Sequence, residues 1–443
     1  METFVIEGGT KLKGKMSVSG SKNVALKALV AACLTDEEVV IENIPLISDF
    51  MVMVEIIEEL GGKVKIKDHT AVVKIKKIKK TRISLEKAAS IRTSIMFMAP
   101  LLARRGEAII PNPGGCRIGA RPIDRVVRGI EKMGVSVIYD SKDGYFYLTC
   151  KDRMKSINHK FEKNTHTGTE TLILSSVLSK GKTVLENAAE EPEVSELINL
   201  LNLMGADVKR VNRRKIIING VLKLHGAKFR IPPDRNEVVT FAIAAIITKG
   251  DIFIKDIDTK GLGEFLEILK KAGGGFEKKN NGIRFYYTNG INPTNITTSF
   301  YPGFMTDWQG PWLILMTKGE GISIIHETVY ENRFGYVEEL RKIGAKIELF
   351  NPIVRNPKNF YNFNFEDNRP EYKHAAKIYG PVDFHNAAIN ISDLRAGATL
   401  VLAALAANGE SVVFGVEHLD RGYEDFDRRI KKLGGNIKRV KEV

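Results

Sequence analysis

From Pro111 to Pro122 the chain reads Pro-Asn-Pro-Gly-Gly-Cys-Arg-Ile-Gly-Ala-Arg-Pro, which sets Cys116 among Arg117 and Arg121. So many glycines and prolines forbid a regular core element, so the stretch predicts a shaped loop between a strand and a helix. A thiol on such a loop, beside cations that tune its ionisation, is equipped to give a proton or act as a nucleophile. A second candidate, Ser19-Gly20-Ser21-Lys22-Asn23, leads into the apolar stretch Val24 to Cys33. A helix starting there puts Lys22 where an ammonium and backbone N–H groups can meet one anion. A third set is Thr306-Asp307-Trp308-Gln309, Glu331-Asn332-Arg333-Phe334, Ser392-Asp393-Leu394-Arg395 and His418-Leu419-Asp420-Arg421-Gly422-Tyr423. Each places a charged residue at a predicted strand-to-helix junction. Any one alone suits a surface ion pair equally well. Recurrence at equivalent places is the signal, because guanidinium forks can gather around one phosphate or carboxylate.

The elements that must hold these residues repeat. Apolar residues at helical spacing line one face in Met53, Ile56, Ile57 and Leu60, in Ile123, Val126, Val127 and Ile130, in Val194, Leu197, Ile198 and Leu201, and in Phe265, Ile268, Leu269 and Ala272. Helices are expected to stop at Leu60-Gly61, Met133-Gly134, Met204-Gly205, Ala272-Gly273, Ile343-Gly344 and Leu433-Gly434, since glycine takes the left-handed stop without a Cβ clash. β-Branched runs precede them at Val39–Ile41, Thr183–Leu185, Ile252–Ile254, Ser323–Ile325 and Val412–Phe414, several turning at Asn43, Asn187 or Asp256. The stops recur roughly every 70 residues, too far apart for a solenoid. Six small αβ units in two domains of three are expected. The last interval is longer, and the excess predicts an insertion over about 351–376, rich in Asn, Pro and aromatic residues.

Composition excludes other classes. The 443 residues are 43% hydrophobic and 27% charged, which rules out a disordered or collagen-like chain. The longest nearly apolar run, Ala398 to Ala407, is too short for a membrane span, and no secretory leader is evident. Three cysteines without CxxC spacing make neither a disulfide framework nor a zinc site, and fit a reducing cytoplasm. The net charge of +14 is compatible with nucleic acid, an anionic membrane or anionic small substrates, but its lysines are spread along the chain without an RNA-binding aromatic motif and read first as a solvated surface.

The Cys116 loop, the Ser-Lys-Asn turn at Lys22 and Glu331-Asn332-Arg333-Phe334 together resemble the enolpyruvyl transferases, and among them the UDP-N-acetylglucosamine 1-carboxyvinyltransferases. The resemblance runs from Phe4-Val5-Ile6-Glu7-Gly8 to Asp420-Arg421-Gly422-Tyr423-Glu424. It implies an α/β fold, the inside-out α/β barrel of two domains, each of three βαβαββ repeats. Residues 22–232 would form the domain carrying the Cys loop, and 1–21 with 233–443 the other, the two closing like a clamp. It implies transfer of enolpyruvyl from phosphoenolpyruvate to the 3′-hydroxyl of UDP-N-acetylglucosamine, with release of phosphate, through a tetrahedral ketal. Cys116 would be the acid, Asp307 the base; Lys22, Arg121 and Arg421 would hold phosphate. Arg333 and Arg395, with Asp393 beside them, would add charge for the carboxylate. Asn23, Asp307 and Val329 would meet the sugar. Arg121, Pro122, Ile123, Asp124, Arg125, Arg92 and the stretch Thr165, His166, Thr167, Gly168 would face the uridine and diphosphate. No cofactor or metal is implied, and the protein would be a monomer or weak homo-oligomer. The rival acceptors are shikimate 3-phosphate and another UDP-sugar; an RNA-end-processing protein is the remote alternative. Enolpyruvylshikimate-phosphate synthases lack the Cys-bearing loop, which sets Cys116 against the first rival.

Overall fold

The computed structural model describes residues 2–115, 118–120 and 122–441. Five of the seven sheets among these residues share one pattern, a first strand parallel to a second, the second antiparallel to a third, the third antiparallel to a fourth, and a sixth keeps all but its first strand. One compact unit, residues 20–115 and 122–232, holds three of them. Its first is Ala227–Arg230, Val39–Glu42, Thr70–Lys74 and Lys63–Lys67. Its second is Glu107–Pro111, Tyr145–Thr149 and Ser136–Asp140, where a single parallel bridge from Arg82 to Ile109 takes the first strand's place. Its third is Asn158–Lys160, Lys182–Glu186, Lys215–Asn219 and Asp207–Asn212.

The other unit, residues 2–19, 118–120 and 233–441, repeats the pattern three times. Its sheets are Lys13–Ser17, Asp251–Lys255, Gly282–Tyr286 and Gly275–Lys279; Ile296–Ser299, Gly321–His326, Ala375–Gly380 and Lys346–Phe350; and Ala388–Asn390, Glu410–Phe414, Glu2–Glu7 and Asn436–Lys441. The mixed α/β architecture expected from the repeats is the one the chain adopts.

Helices fill the inside of each unit. In the second-described unit, every residue of Arg235–Ile247, Gln309–Met316 and Leu394–Leu405 is buried. In the other, Lys22–Ala32 is buried except at Asn23, and His166–Ser176 from Gly168 onward. A helix covered on all sides has no solvent face to set apart, so these segments carry no amphipathic stripe, and the charges they bury at Lys27, Glu170 and Arg395 are paired. The striped helices lie outside them and end as expected: Gly61, Gly134, Gly205, Gly273, Gly344 and Gly434 all have φ between +79° and +103°. Asn43, Asn187 and Asp256 also turn left-handed, at φ +58°, +53° and +59°, a conformation their short polar side chains tolerate.

One segment differs from expectation. His418-Leu419-Asp420 lies inside a short helix, Val416–Asp420, rather than at a junction. The stretch read as an insertion leads at Ala375 into a strand, and aromatic side chains within it pack on one another. Tyr361 and Phe363 are buried, with ring centroids 4.9 Å apart, and Tyr361 lies 5.0 Å from the ring of His374. No helix of the described residues is long and apolar enough to cross a membrane.

Candidate active site

The turn Thr306–Trp308 shows how the fold holds a carboxylate partly open to water. Trp308 sinks into the core, its ring 5.6 Å from Phe304 and 5.9 Å from Phe265. Its indole N–H donates to Asn236 Oδ1 at 2.9 Å. With the indole anchored, Asp307 beside it keeps 27% of its side chain exposed. Arg333 Nη2 lies 3.2 Å from Asp307 Oδ1 and Arg395 Nη2 3.3 Å from Oδ2. Arg333 Nη1 is also 3.9 Å from Asp393 Oδ1. Asp393 caps the helix Leu394–Leu405 by accepting the N–H groups of Arg395 and Ala396 at 2.9 and 3.1 Å, which locks the backbone from which Arg395 extends.

Both guanidiniums are nearly covered, with 5% and 10% of their side chains exposed. Burial works against their charge, but the carboxylates of Asp393 and Asp307 override it at Arg333, and that of Asp307 leads at Arg395, so both are held more firmly protonated than usual. Arg395 Nη1 donates to Tyr423 Oη at 3.3 Å, and that hydroxyl meets Thr240 Oγ1 at 2.8 Å. Beneath them Glu327, fully buried, accepts from Thr306 Oγ1 at 2.9 Å and from the N–H of Val329 and Tyr330 at 2.8 and 3.2 Å. Burial raises its carboxyl above the ordinary range. Val329 is thereby fixed at the backbone. Arg421 follows the short helix Val416–Asp420 and is half-buried.

The same unit holds Ile118, Gly119 and Ala120. Ala120 N donates to Glu331 Oε1 at 2.5 Å, and Asn332 N to the Ile118 carbonyl at 3.3 Å. Gly119 has φ +144°, and a Cβ there would lie 2.4 Å from the Glu331 carboxylate, so only glycine fits. Cys116 and Arg121, the proposed acid and a proposed phosphate ligand, lie outside the described residues.

The unit of residues 20–115 and 122–232 carries the remaining candidates. Lys22 opens the helix Lys22–Ala32 and meets Asp49 Oδ2 at 2.6 Å, both side chains at most 10% exposed. Asn23 beside it is half-buried. Arg92 Nη2 reaches the Pro122 carbonyl at 3.4 Å. Ile123 is buried and precedes the helix Asp124–Lys132; burial lowers the Arg125 guanidinium's hold on its proton. Thr165 caps the helix His166–Ser176, its Oγ1 accepting the Gly168 N–H at 3.2 Å. His166 Nε2 lies 3.1 Å from Glu170 Oε1, and Glu170 Oε2 3.3 Å from Lys27 Nζ. Thr167 is half-buried between them in sequence.

Asp49, Glu327, Glu170 and Lys27 were not among the expected residues. Lys27 and Glu170 carried a usable signal, each a charge inside a run that must be buried. Asp49 and Glu327 sit beside turns where an acidic residue is unremarkable. Among the described residues no group of three or more His, Cys, Asp or Glu side chains is placed to hold a metal ion.

The sequence pattern of EPSP synthase (3-phosphoshikimate 1-carboxyvinyltransferase) matches residues 6–430. The chain is 39% identical to a UDP-N-acetylglucosamine 1-carboxyvinyltransferase of Koribacter versatilis (strain Ellin345), over 100% of this chain and 98% of that one. It is 38% identical to the protein of the same name from Endomicrobium trichonymphae, over 99% of each. Among solved structures, the enolpyruvyl transferase NikO from Streptomyces tendae matches with a TM-score of 0.86 at 24% identity, over 100% of this chain and 99% of that one. EPSP synthase from Acinetobacter baumannii matches at 0.73 and 17%, over 100% of both. These two structures speak to the fold alone.

Proposed function

Because the chain belongs to the EPSP synthase family of enolpyruvyl transferases, we propose that it moves the enolpyruvyl group of phosphoenolpyruvate onto the 3′-hydroxyl of UDP-N-acetylglucosamine and releases phosphate. This would be the first committed step toward a peptidoglycan precursor. The observation that carries the reading is Asp307, its two oxygens shared between the buried guanidiniums of Arg333 and Arg395.

The addition step needs two proton movements. As the acceptor oxygen bonds to C2 of the donor, its hydroxyl proton passes to Asp307, and the methylene carbon takes a proton from the Cys116 thiol. The product is a tetrahedral ketal. In elimination the thiolate takes a proton back from the methyl group, the C2–O bond to phosphorus breaks, and phosphate leaves with the bonding pair and the proton parked on Asp307. Lys22, Arg121 and Arg421 are assigned to the phosphate, and Arg333 and Arg395 to the carboxylate. Fixed cations facing charge that develops in the transition state supply the largest share of such a rate.

Arg333 and Arg395 are neutralised by Asp307 and Asp393 in the free protein. An anionic donor offers the same guanidiniums a second partner, and the exchange turns an oxygen of Asp307 toward the acceptor hydroxyl. Asn23 and Val329 are assigned to the sugar, and Arg92, Pro122, Ile123, Asp124, Arg125 and Thr165 to Gly168 to the nucleotide. A phosphate-release assay with phosphoenolpyruvate tests the reading. Release with UDP-N-acetylglucosamine, and none with shikimate 3-phosphate or other UDP-sugars, is expected. Release with another acceptor alone overturns it.

A further inference from the structure

The helix Arg235–Ile247 is buried along its whole length, yet it carries polar side chains at Asn236 and Thr240. Their spacing of four sets them on one face, and side chains so covered must find hydrogen-bond partners. Both partners belong to the site around Asp307. Asn236 Oδ1 accepts the Trp308 indole N–H at 2.9 Å, and Trp308 follows Asp307 in the chain. Thr240 Oγ1 lies 2.8 Å from Tyr423 Oη, and that oxygen lies 3.3 Å from Arg395 Nη1. Asn236, Thr240, Trp308 and Tyr423 are all buried.

The donors available fix the direction of each bond. A guanidinium only donates, so Tyr423 Oη accepts from Arg395. The Thr240 hydroxyl gives its proton to the Asn236 carbonyl one turn back, at 3.0 Å. Thr240 Oγ1 is thus left to accept, and the Tyr423 O–H donates to it. Arg395 Nη2 closes the circuit at 3.3 Å from Asp307 Oδ2. One helix therefore grips both members of the Asp307–Arg395 pair, the carboxylate through the turn Thr306–Trp308 and the guanidinium through Tyr423.

We propose that Asn236 and Thr240 are positioning residues for the transfer, Asn236 aiming Asp307 through Trp308 and Thr240 holding Arg395 through Tyr423. The assignment rests on the enolpyruvyl-transfer reading above, in which Asp307 is the base and Arg395 meets the donor carboxylate. Each acts through another side chain. A base works only within hydrogen-bond reach of the proton it takes, so a turn released from its indole anchor costs turnover. The other arm works differently. Tyr423 commits Nη1 of Arg395, which leaves Nη2 to Asp307. Without that phenol contact the guanidinium is free to close on Asp307 as a two-pronged fork. A donor carboxylate then competes with a tighter ion pair, and the cost falls on donor affinity.

Phosphate release from phosphoenolpyruvate by the full chain, with the acceptor at saturation, tests this. Thr240→Val keeps the shape and removes the hydroxyl. KM for phosphoenolpyruvate should rise about tenfold, the usual worth of a hydrogen bond to a charged group, with kcat within about threefold of native. Tyr423→Phe should do the same, and Thr240→Ser, which keeps a hydroxyl, should recover most of the loss. Asn236→Leu orphans the indole N–H and should lower kcat about tenfold with KM for phosphoenolpyruvate nearly unmoved. If that variant does not fold, Trp308→Phe breaks the same hydrogen bond from the other side and should show the same fall. The split between KM on one arm and kcat on the other is what a merely structural role would not produce. Kinetics unmoved in the variants, equal losses on both arms that track thermal midpoints, or Thr240→Ser as impaired as Thr240→Val would overturn the assignment alone. A native chain that releases no phosphate overturns the transfer reading, and the assignment with it.

Discussion

Replacing Asp307 with alanine separates its two duties. Each guanidinium sits 3.2 to 3.3 Å from a carboxylate oxygen. At an effective dielectric of about 20, one such contact carries roughly 5 kcal/mol of gross attraction. Most of that is offset by the cost of dehydrating the ions, and breaking a buried pair outright costs about 3–5 kcal/mol. Asp307 keeps contact with water, Arg333 retains Asp393 at 3.9 Å, and Arg395 retains Tyr423 at 3.3 Å. The expected loss is therefore smaller, about 1–3 kcal/mol, read from urea unfolding. Removing a carboxylate that competes for the same guanidiniums should leave phosphoenolpyruvate affinity equal or tighter. Turnover should fall by about 10²- to 10⁴-fold, the usual worth of a positioned base. Asp307→Asn should match the kinetic loss with less loss of stability. Turnover within about threefold of native in both variants would refute the base assignment. Phosphoenolpyruvate bound more than about tenfold more weakly would refute the exchange of partners at the arginines.

Other outcomes follow from the same reasoning. Cys116→Ser should lose most turnover while its circular dichroism stays native, and fosfomycin with UDP-N-acetylglucosamine should leave an adduct on Cys116 visible by mass spectrometry; full activity or an unmodified thiol counts against the acid role. Gly119→Ala forces a Cβ to 2.4 Å from the Glu331 carboxylate at φ +144°, so kcat should fall at least about tenfold with little change in thermal midpoint, the strain of about 1–3 kcal/mol being confined to a loop; native kcat would show that the loop does not need this docking. His374 is buried in the aromatic stack with neither ring nitrogen hydrogen-bonded, and burial, helped by His326 and Lys373, pushes its pKa down to about 4. The unfolded chain protonates it near 6.5, so stability should drop as pH falls below that value and level off near 4, by at most about 3 kcal/mol. His374→Phe should flatten that part of the urea-midpoint profile, and an equally steep profile in the variant would exclude His374 as the cause.

The peripheral frame was readable because it is written twice over. Met53, Ile56, Ile57 and Leu60 mark a stripe, and Gly61 marks its end; the same pairing of stripe and stop recurs along the chain. The inner helices are different. Gln309–Met316 and Leu394–Leu405 are buried on every side, so no periodicity distinguishes them from a buried strand. At the site, residue types were readable and pairings were not. Arg333, Arg395 and Asp307 each stood out at a junction, but nothing local says that one carboxylate serves both arginines. Glu331 belongs to a legible motif, but the residue it grips, Ala120, lies 211 positions away in the chain. Lys27 could have been found, since a lysine between Leu26 and Ala28 in an otherwise apolar helix demands a counter-charge.

The strand Glu2–Glu7 is an inner strand, bonded on one side to Glu410–Phe414 and on the other to Asn436–Lys441, with Phe4 and Ile6 wholly covered. On the ribosome it emerges long before either neighbour exists. The unit of residues 20–115 and 122–232 can complete its own sheets once Arg230 has appeared, whereas the partners of this strand lie some four hundred residues further along the chain.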